Sequence, residues 1–390
     1  MTSRTLHRFF KPLLAIGLLA ITDLTASETW VYSSKGLPTG ISGIAAIVAD
    51  PINTSIVYAV TNGGAIAKSE DGAANWRTLS GLAGVLTLVV DPKVPSVLYA
   101  ATSHGIMKSL DGGTTWNVSN SGITANAWML TIDPVAPTTL YAASGGLYKS
   151  LDGGAHWTPL SGPPPPNSLG SLAIDPMTSS TLYASVTNGE IWKSQDGGAT
   201  WGRIKSGLSE GIFAGRALGL AIDPNNPLTV YAGSFSGAST TASQSFDPGT
   251  GSISKSSDGG QTWRTIRAGI PQDGFVRTLE VSPTDSLTIF ATYAGSSVSR
   301  GSGILKSSDG GESWAIVNSD SAETSQVAMT KSGAVIAGYN QSSGYGKILQ
   351  SVDGGSSWNA VGVGLTFIDL RVLAADPVNP AAIYVGGAGA

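Results

Sequence analysis

The stretch KSLDGGTTW, Lys108 to Trp116, decides the fold, because the chain carries seven versions of it. The others are KSEDGAANW ending at Trp76, KSLDGGAHW at Trp157, KSQDGGATW at Trp201, KSSDGGQTW at Trp263, KSSDGGESW at Trp314 and QSVDGGSSW at Trp358. Each has the chemistry of a chain reversal. Two adjacent glycines admit positive φ without steric cost. The Asp before them can accept hydrogen bonds from the N–H groups of the turn, and the Ser two residues earlier can do the same. The Trp then opens the next strand, where its ring can pack on the neighbouring repeat. Burying one such ring is worth on the order of 2–3 kcal/mol. The first copy has Ala73 in place of the second Gly. If that position needs positive φ, its turn is expected to be strained or rearranged.

A second phrase alternates with the first. An apolar run, Asp-Pro, a few polar residues and another apolar run ending in Tyr-Ala recur, as in IVADPINTSIVYA at Tyr58 and LVVDPKVPSVLYA at Tyr99. Further copies end at Tyr141, Tyr183, Tyr231 and Tyr384, with a variant at Phe290 and a shortened form at Tyr339. Each reads as strand, turn, strand. One repeat therefore holds four strands: a before Asp-Pro, b ending at Tyr-Ala, c carrying Lys-Ser, and d starting at the Trp. Asp71, Asp111, Asp152, Asp196, Asp258, Asp309 and Asp353 are spaced by 40, 41, 44, 62, 51 and 44 residues. A four-stranded unit of roughly 40–45 residues is a β-propeller blade. The expected fold is all-β, a propeller of four-stranded antiparallel blades with seven full repeats. Residues 30–34 read as an orphan strand d and 371–385 as an orphan a–b pair. Together they form a partial eighth blade that joins the termini and hides their edges. Either that blade is incomplete or the chain is truncated.

The motif S-x-D-x-G-x-x-W is the Asp box, and residues 28–390 resemble Asp-box (BNR) repeat proteins. That group includes sialidases, xyloglucanases, sortilin-like receptors and photosystem II assembly factors. The resemblance implies the propeller and leaves the chemistry open, since members share the box and differ in activity.

The 390 residues are 12% charged and include 51 Gly and 20 Pro, which suits many short strands and tight turns. There is no Cys, so disulfides and thiolate metal sites are excluded. Arg4, Arg8 and Lys11 precede an apolar run from Pro12 to Ile21. That run is too short to span a bilayer and suits a secretory signal over residues 1–26, leaving a single propeller domain over 27–390; a retained anchor is the alternative reading. Taking away three basic groups and Asp23 moves the net charge from −4 to −6. An anionic chain argues against nucleic acid or an anionic membrane as partner. The expected location is secreted or periplasmic, and the expected state is a monomer with no membrane span after removal of the signal.

In an a-b-c-d meander the Asp-Pro turns and the boxes share one face. Loop length varies on the other, at 161–169, 206–216, 234–254, 268–276, 293–303 and 340–346. Recognition is expected where loops vary on a rigid frame. Arg216, Arg277 and Arg371 each begin a strand a on that side, with the same strand parity. They could clamp a carboxylate or phosphate near the channel mouth, and their position is similar to that of the arginine cluster of sialidases. The structural alternative pairs each with an acid such as Asp369, Asp273 or Glu210. Trp128, Phe213, Phe275, Tyr345 and Phe367 could stack on sugars or anchor loops. The box Asp residues read as structural, and the Lys before each box Ser as a solvated side chain on an outer strand.

An enzyme needs more. The F/Y-R-I-P motif of sialidases is absent, and an inverting glycosidase needs two carboxylates about 6.5–9.5 Å apart. Asp273, Asp369 and Glu210, with Glu323 and Asp247, are the available loop acids. No local pattern marks a pair. No metal or cofactor motif is present, and His156 fills a variable box position. The leading expectation is an exported, non-catalytic propeller that binds a protein or glycan on its variable face. The alternative is a carbohydrate-active hydrolase, sialidase-like or xyloglucanase-like, using the same face.

Overall fold

The structure is a computed structural model. It describes residues 18–21, 31–38, 42–123, 126–162, 169–186, 190–204, 220–233, 252–271, 274–295, 301–320, 323–340, 347–361, 367–376, 379 and 382–389. Among these residues every element is a strand, and no helix is long and apolar enough to cross a membrane.

Seven four-stranded antiparallel blades are each made of consecutive strands. Blade 1 sets the pattern, with Ile44–Ala49, Val57–Thr61, Ile66–Ser69 and Arg77–Thr78 as strands a to d. The first strands of neighbouring sheets touch around a central axis. The apolar clusters lie in the seams: Tyr58 and Val60 of blade 1 pack with Leu88, Val90 and Leu98 of blade 2. Trp157 joins Tyr99 and Ile106 of the preceding blade, as its large flat ring suggested. A phrase that escaped the sequence reading also zips seams. After an outer strand the chain crosses to the next Trp, so that Ser121 O accepts from Trp157 N at 2.8 Å. A Cβ on Gly122 would stand 2.1 Å from Trp157 O, so only glycine allows this approach.

The ends of the chain meet in one further sheet, ordered Val31–Ser33, Leu18–Ile21, Ile383–Gly389, Phe367–Ala375. Phe367–Ala375 touches Glu323–Met329 on one side and Ile44–Ala49 on the other, which closes the ring. This corrects the expectation of a partial blade. The orphan strands exist, but Leu18–Ile21 takes the third place, with Leu18, Leu19, Ala20 and Ile21 opposite Gly386, Val385, Tyr384 and Ile383. The open edge of Ile383–Gly386 needs a partner, and a short apolar run can supply it. These four residues fall inside the segment read as a leader.

Ala73 does adopt positive φ, at 71°. Its turn is kept rather than rearranged, since Ala73 N still donates to Ser69 Oγ at 2.8 Å. The Tyr339 assignment also changes. The residue of blade 7 that pairs as Tyr58 does is Ile336, and Tyr339 lies three residues farther along the strand.

Candidate functional site

The box face is accounted for by structure. In the second box Ser109 Oγ donates to Asp111 Oδ1 at 2.8 Å and accepts from Gly113 N at 2.8 Å. Asp111 Oδ1 and Oδ2 accept from Thr115 N at 2.8 Å and Thr115 Oγ1 at 2.7 Å. The residue before each Trp repeats this contact: Asn75, Thr115, His156, Thr200, Thr262, Ser313 and Ser357 all reach the box carboxylate. Their shared ability to donate is a signal the sequence carried unread. These bonds, led by the Thr115 hydroxyl, hold the Asp111 carboxyl down at about 2. Asp196, Asp258 and Asp309 are likewise held at about 2 by Thr200, Thr262 and Ser313.

The box lysines are not solvated. Lys108 Nζ and Tyr99 Oη both donate to Gly153 O of the next blade, at 2.7 and 3.1 Å. Lys149 Nζ and Tyr141 Oη converge on Gly197 O at 2.8 and 3.2 Å. Each ammonium also lies over the ring of its Tyr, at 5.1 and 5.4 Å from the centroid. The pleat puts Lys beside Tyr on adjacent strands, and both reach across the seam. Burial lowers the pKa of Lys108 and Lys149 and raises Tyr99 and Tyr141 to about 12.

On the other side, the inner strands share a feature that positions a candidate site. Register slips by one residue at Ala45, Leu86, Gly170, Arg277, Ser325 and Arg371. Each of these residues stands five before the Asp or its replacement in the a–b turn, and Trp128 holds that offset in blade 3. A bulge frees one residue from the ladder and re-aims its side chain. Ala45, Leu86 and Trp128 are exposed beside buried strand neighbours. Arg277 is half-buried and is not free of partners. Three sequence candidates, Trp128, Arg277 and Arg371, therefore share one level of the ring, on three different sheets. The seams brace this level: Thr87 Oγ1 donates to Trp128 O at 3.2 Å, and Gln326 Oε1 accepts from Leu373 N at 2.8 Å.

Arg216, Glu210, Asp273, Asp247, Phe213 and Tyr345 lie outside the described residues, as does most of each variable loop. Asp369 is placed in the inner strand of the closing sheet and Glu323 in that of blade 7.

One residue was missed. Glu280 stands two before the a–b turn, where the other sheets have Val48, Val89, Thr131, Ala173, Ala221, Ala328 and Ala374. Its strand touches the first strand of blade 7, and at the same offset Ala221 of blade 5 packs on the blade 6 core. Half-buried there, with no ion pair among the described residues, its carboxyl is pushed by burial up to about 7. The signal was an acid at an offset otherwise filled by small neutral side chains. Among the described residues no group of three or more His, Asp or Glu is arranged to hold a metal.

No protein-family model matches the chain, and no curated protein matches it in sequence. Solved structures do. One is the GH74 xyloglucanase from Xanthomonas campestris, with a TM-score of 0.55 at 16% identity over 88% of this chain and 65% of that one. Another is YCF48 bound to D1 peptide, with a TM-score of 0.53 at 13% identity over 89% and 99% of the two chains. A third is the computationally designed Ika8 protein, with a TM-score of 0.60 at 13% identity over 90% and 98%. The chain spans 65% of that xyloglucanase and 58% of an ancestral GH74 enzyme. At these identities the likeness establishes the β-propeller fold alone.

Proposed function

We propose that this chain is an Asp-box propeller that is exported after loss of residues 1–26 and binds a protein or glycan on its variable-loop face. The domain is 27–390, secreted or periplasmic, and works as a monomer without catalysis. The bulge register carries this reading, because it brings Arg277 and Arg371 to the level of Trp128 around one axis. Two guanidinium groups suit a carboxylate, sulfate or phosphate, and Trp128 with Leu86 suits an apolar ring. An acidic sugar or an acidic peptide with a flanking aromatic combines those features.

The test is binding of the exported protein to an array of sialylated and sulfated glycans beside a library of acidic peptides. Capture that falls at least tenfold in Arg277→Gln/Arg371→Gln, with the melting temperature kept, supports the site. Capture that is untouched in that variant and in Trp128→Ala refutes it.

Glu280 favours a second reading. A carboxyl titrating near 7 is in the range of a general acid, and a GH74-like hydrolase would need a second carboxylate opposite it. Turnover of chromogenic β-glucosides or sialosides that disappears in Glu280→Gln would establish this reading. No turnover by the wild-type chain would dismiss it.

A further inference from the structure

A box lysine reaches across six successive seams. Lys108, Lys149 and Lys193 form a latch, donating to the glycine carbonyl of the next blade, while Lys68 and Lys255 pair with Glu70 and Glu312. The ammonium of the preceding blade lies 2.5 to 3.7 Å from where a Cβ would stand on Gly112, Gly153, Gly197, Gly259, Gly310 and Gly354. The same lysines stand 5.1 to 5.9 Å from the ring centroid of a Tyr or Phe on the adjoining strand. Two seams depart from this: in one, blade 7 holds Gln350 in the lysine's place, opposite Ile336, and the other is the seam between the closing sheet and blade 1. Where the closing sheet meets blade 1, the register sets Ala20 opposite Tyr384 and Ile21 opposite Ile383. In the second and third blades those places hold Lys108 and Ser109, and Lys149 and Ser150. Gly72, the first glycine of the blade 1 box, has no neighbour within 4 Å of its open side among the described residues. Tyr384 is nonetheless in place and fully buried, with its hydroxyl 3.5 Å from Thr54 O and 3.2 Å from Asp376 Oδ2. The ring and the glycine that flank an ammonium elsewhere are both present, beside a carboxylate, and the strand between them carries no lysine.

We propose that this seam binds the primary ammonium of a lysine on an extended segment of a partner protein, laid along Ile383–Gly386 as third strand of the closing sheet. The proposal rests on the reading of residues 1–26 as a leader, whose removal takes Leu18–Ile21 out of that place. The main-chain groups of Ile383–Gly386 and Val31–Ser33 then face each other across one strand's width and supply the ladder. The side-chain order is set by the seven repeats: apolar, any, Lys or Gln, Ser. The lysine reaches over Tyr384 toward Gly72, as Lys108 reaches over Tyr99 toward Gly153.

The probe is a fluorescein-labelled peptide of this chain's own second repeat, HGIMKSLDGG, added to the exported protein, whose intact mass fixes its first residue. The expected result is saturable binding that weakens about tenfold when the lysine is replaced by norleucine, the size of one desolvated cation–π contact. It should weaken similarly in Tyr384→Leu. If the mass shows residues 1–26 gone, absent binding, or binding indifferent to the lysine, overturns the proposal. If the mass shows them retained, the leader reading fails by itself. The seam is then tested in that full chain by Ala20→Lys against Ala20→Met. A higher melting temperature for the lysine variant alone supports the ammonium site, and equal values overturn it.

Discussion

Replacing Gly113 by Ala should destabilise the chain far more than the reverse change at the same place in the first box. Gly113 has φ of 87°, and a Cβ there would stand 2.5 Å from Leu79 Cδ1 and 3.2 Å from Leu98 Cδ1. The left-handed backbone costs an L-residue about 1–2 kcal/mol. Leu79 and Leu98 are buried in the seam between blades 1 and 2, and forcing a methyl group into such packing costs about 1–3 kcal/mol. Gly113→Ala is therefore expected to lose about 2–5 kcal/mol. Ala73→Gly relieves the same backbone strain at φ of 71°. It also removes a buried methyl worth about 0.8 kcal/mol and frees the unfolded chain by about 0.4–1 kcal/mol. The net change should stay within about 1 kcal/mol of zero. Urea unfolding followed by Trp fluorescence reads both. Amide exchange in blades 1 and 2 guards against piecewise unfolding of a repeat array. A Gly113→Ala variant within about 0.5 kcal/mol of wild type, or an Ala73→Gly change as large as it, would refute the reasoning.

The latch should show coupling. Tyr141→Phe and Lys149→Met each remove one donor to Gly197 O, for about 0.5–1.5 kcal/mol apiece. A double-mutant cycle should return an interaction energy of at least about 0.5 kcal/mol, and simple additivity would count against a shared seam contact. For the box carboxylates, Asp111, Asp196, Asp258 and Asp309 sit near 2 when folded, below their unfolded value. Their stabilisation is complete above about pH 4 and is lost as pH falls toward 2. The melting temperature should therefore drop steeply across that window, and a flat profile down to pH 2.5 would contradict the bonding described. Glu280 has the opposite sign. With its carboxyl raised to about 7, the folded state holds a proton that the unfolded state has released. Stability should therefore decline from about pH 4.5 to 7. Glu280→Gln should flatten that decline and gain about 1–3 kcal/mol at pH 8, measured by urea unfolding at pH 5 and pH 8. An unchanged slope would place the carboxyl in water.

The repeated Ser-x-Asp-Gly-Gly-x-x-Trp stretch, together with the Asp-Pro phrase that alternates with it, was enough to give the strand order within a blade, the seven blades and the sharing of one face by all tight turns. Those properties are local. A reversal is set by residues within a few positions of one another, and a fixed spacing repeats it. The sequence also contained the offset that aligns Trp128, Arg277 and Arg371, but their parity alone could not reveal a bulge, because an extra residue in a ladder exists only relative to the strand it pairs with. The lysines were misread for a similar reason. Their partners, Gly153 and Gly197, are 45 and 48 residues away, and only the closing of neighbouring sheets into a ring turns an outer-strand cation into a seam contact. The third strand of the closing sheet is the extreme case. Leu18–Ile21 pairs with Ile383–Gly386 across nearly the whole chain, and only the return of the chain end to its beginning makes that pairing possible.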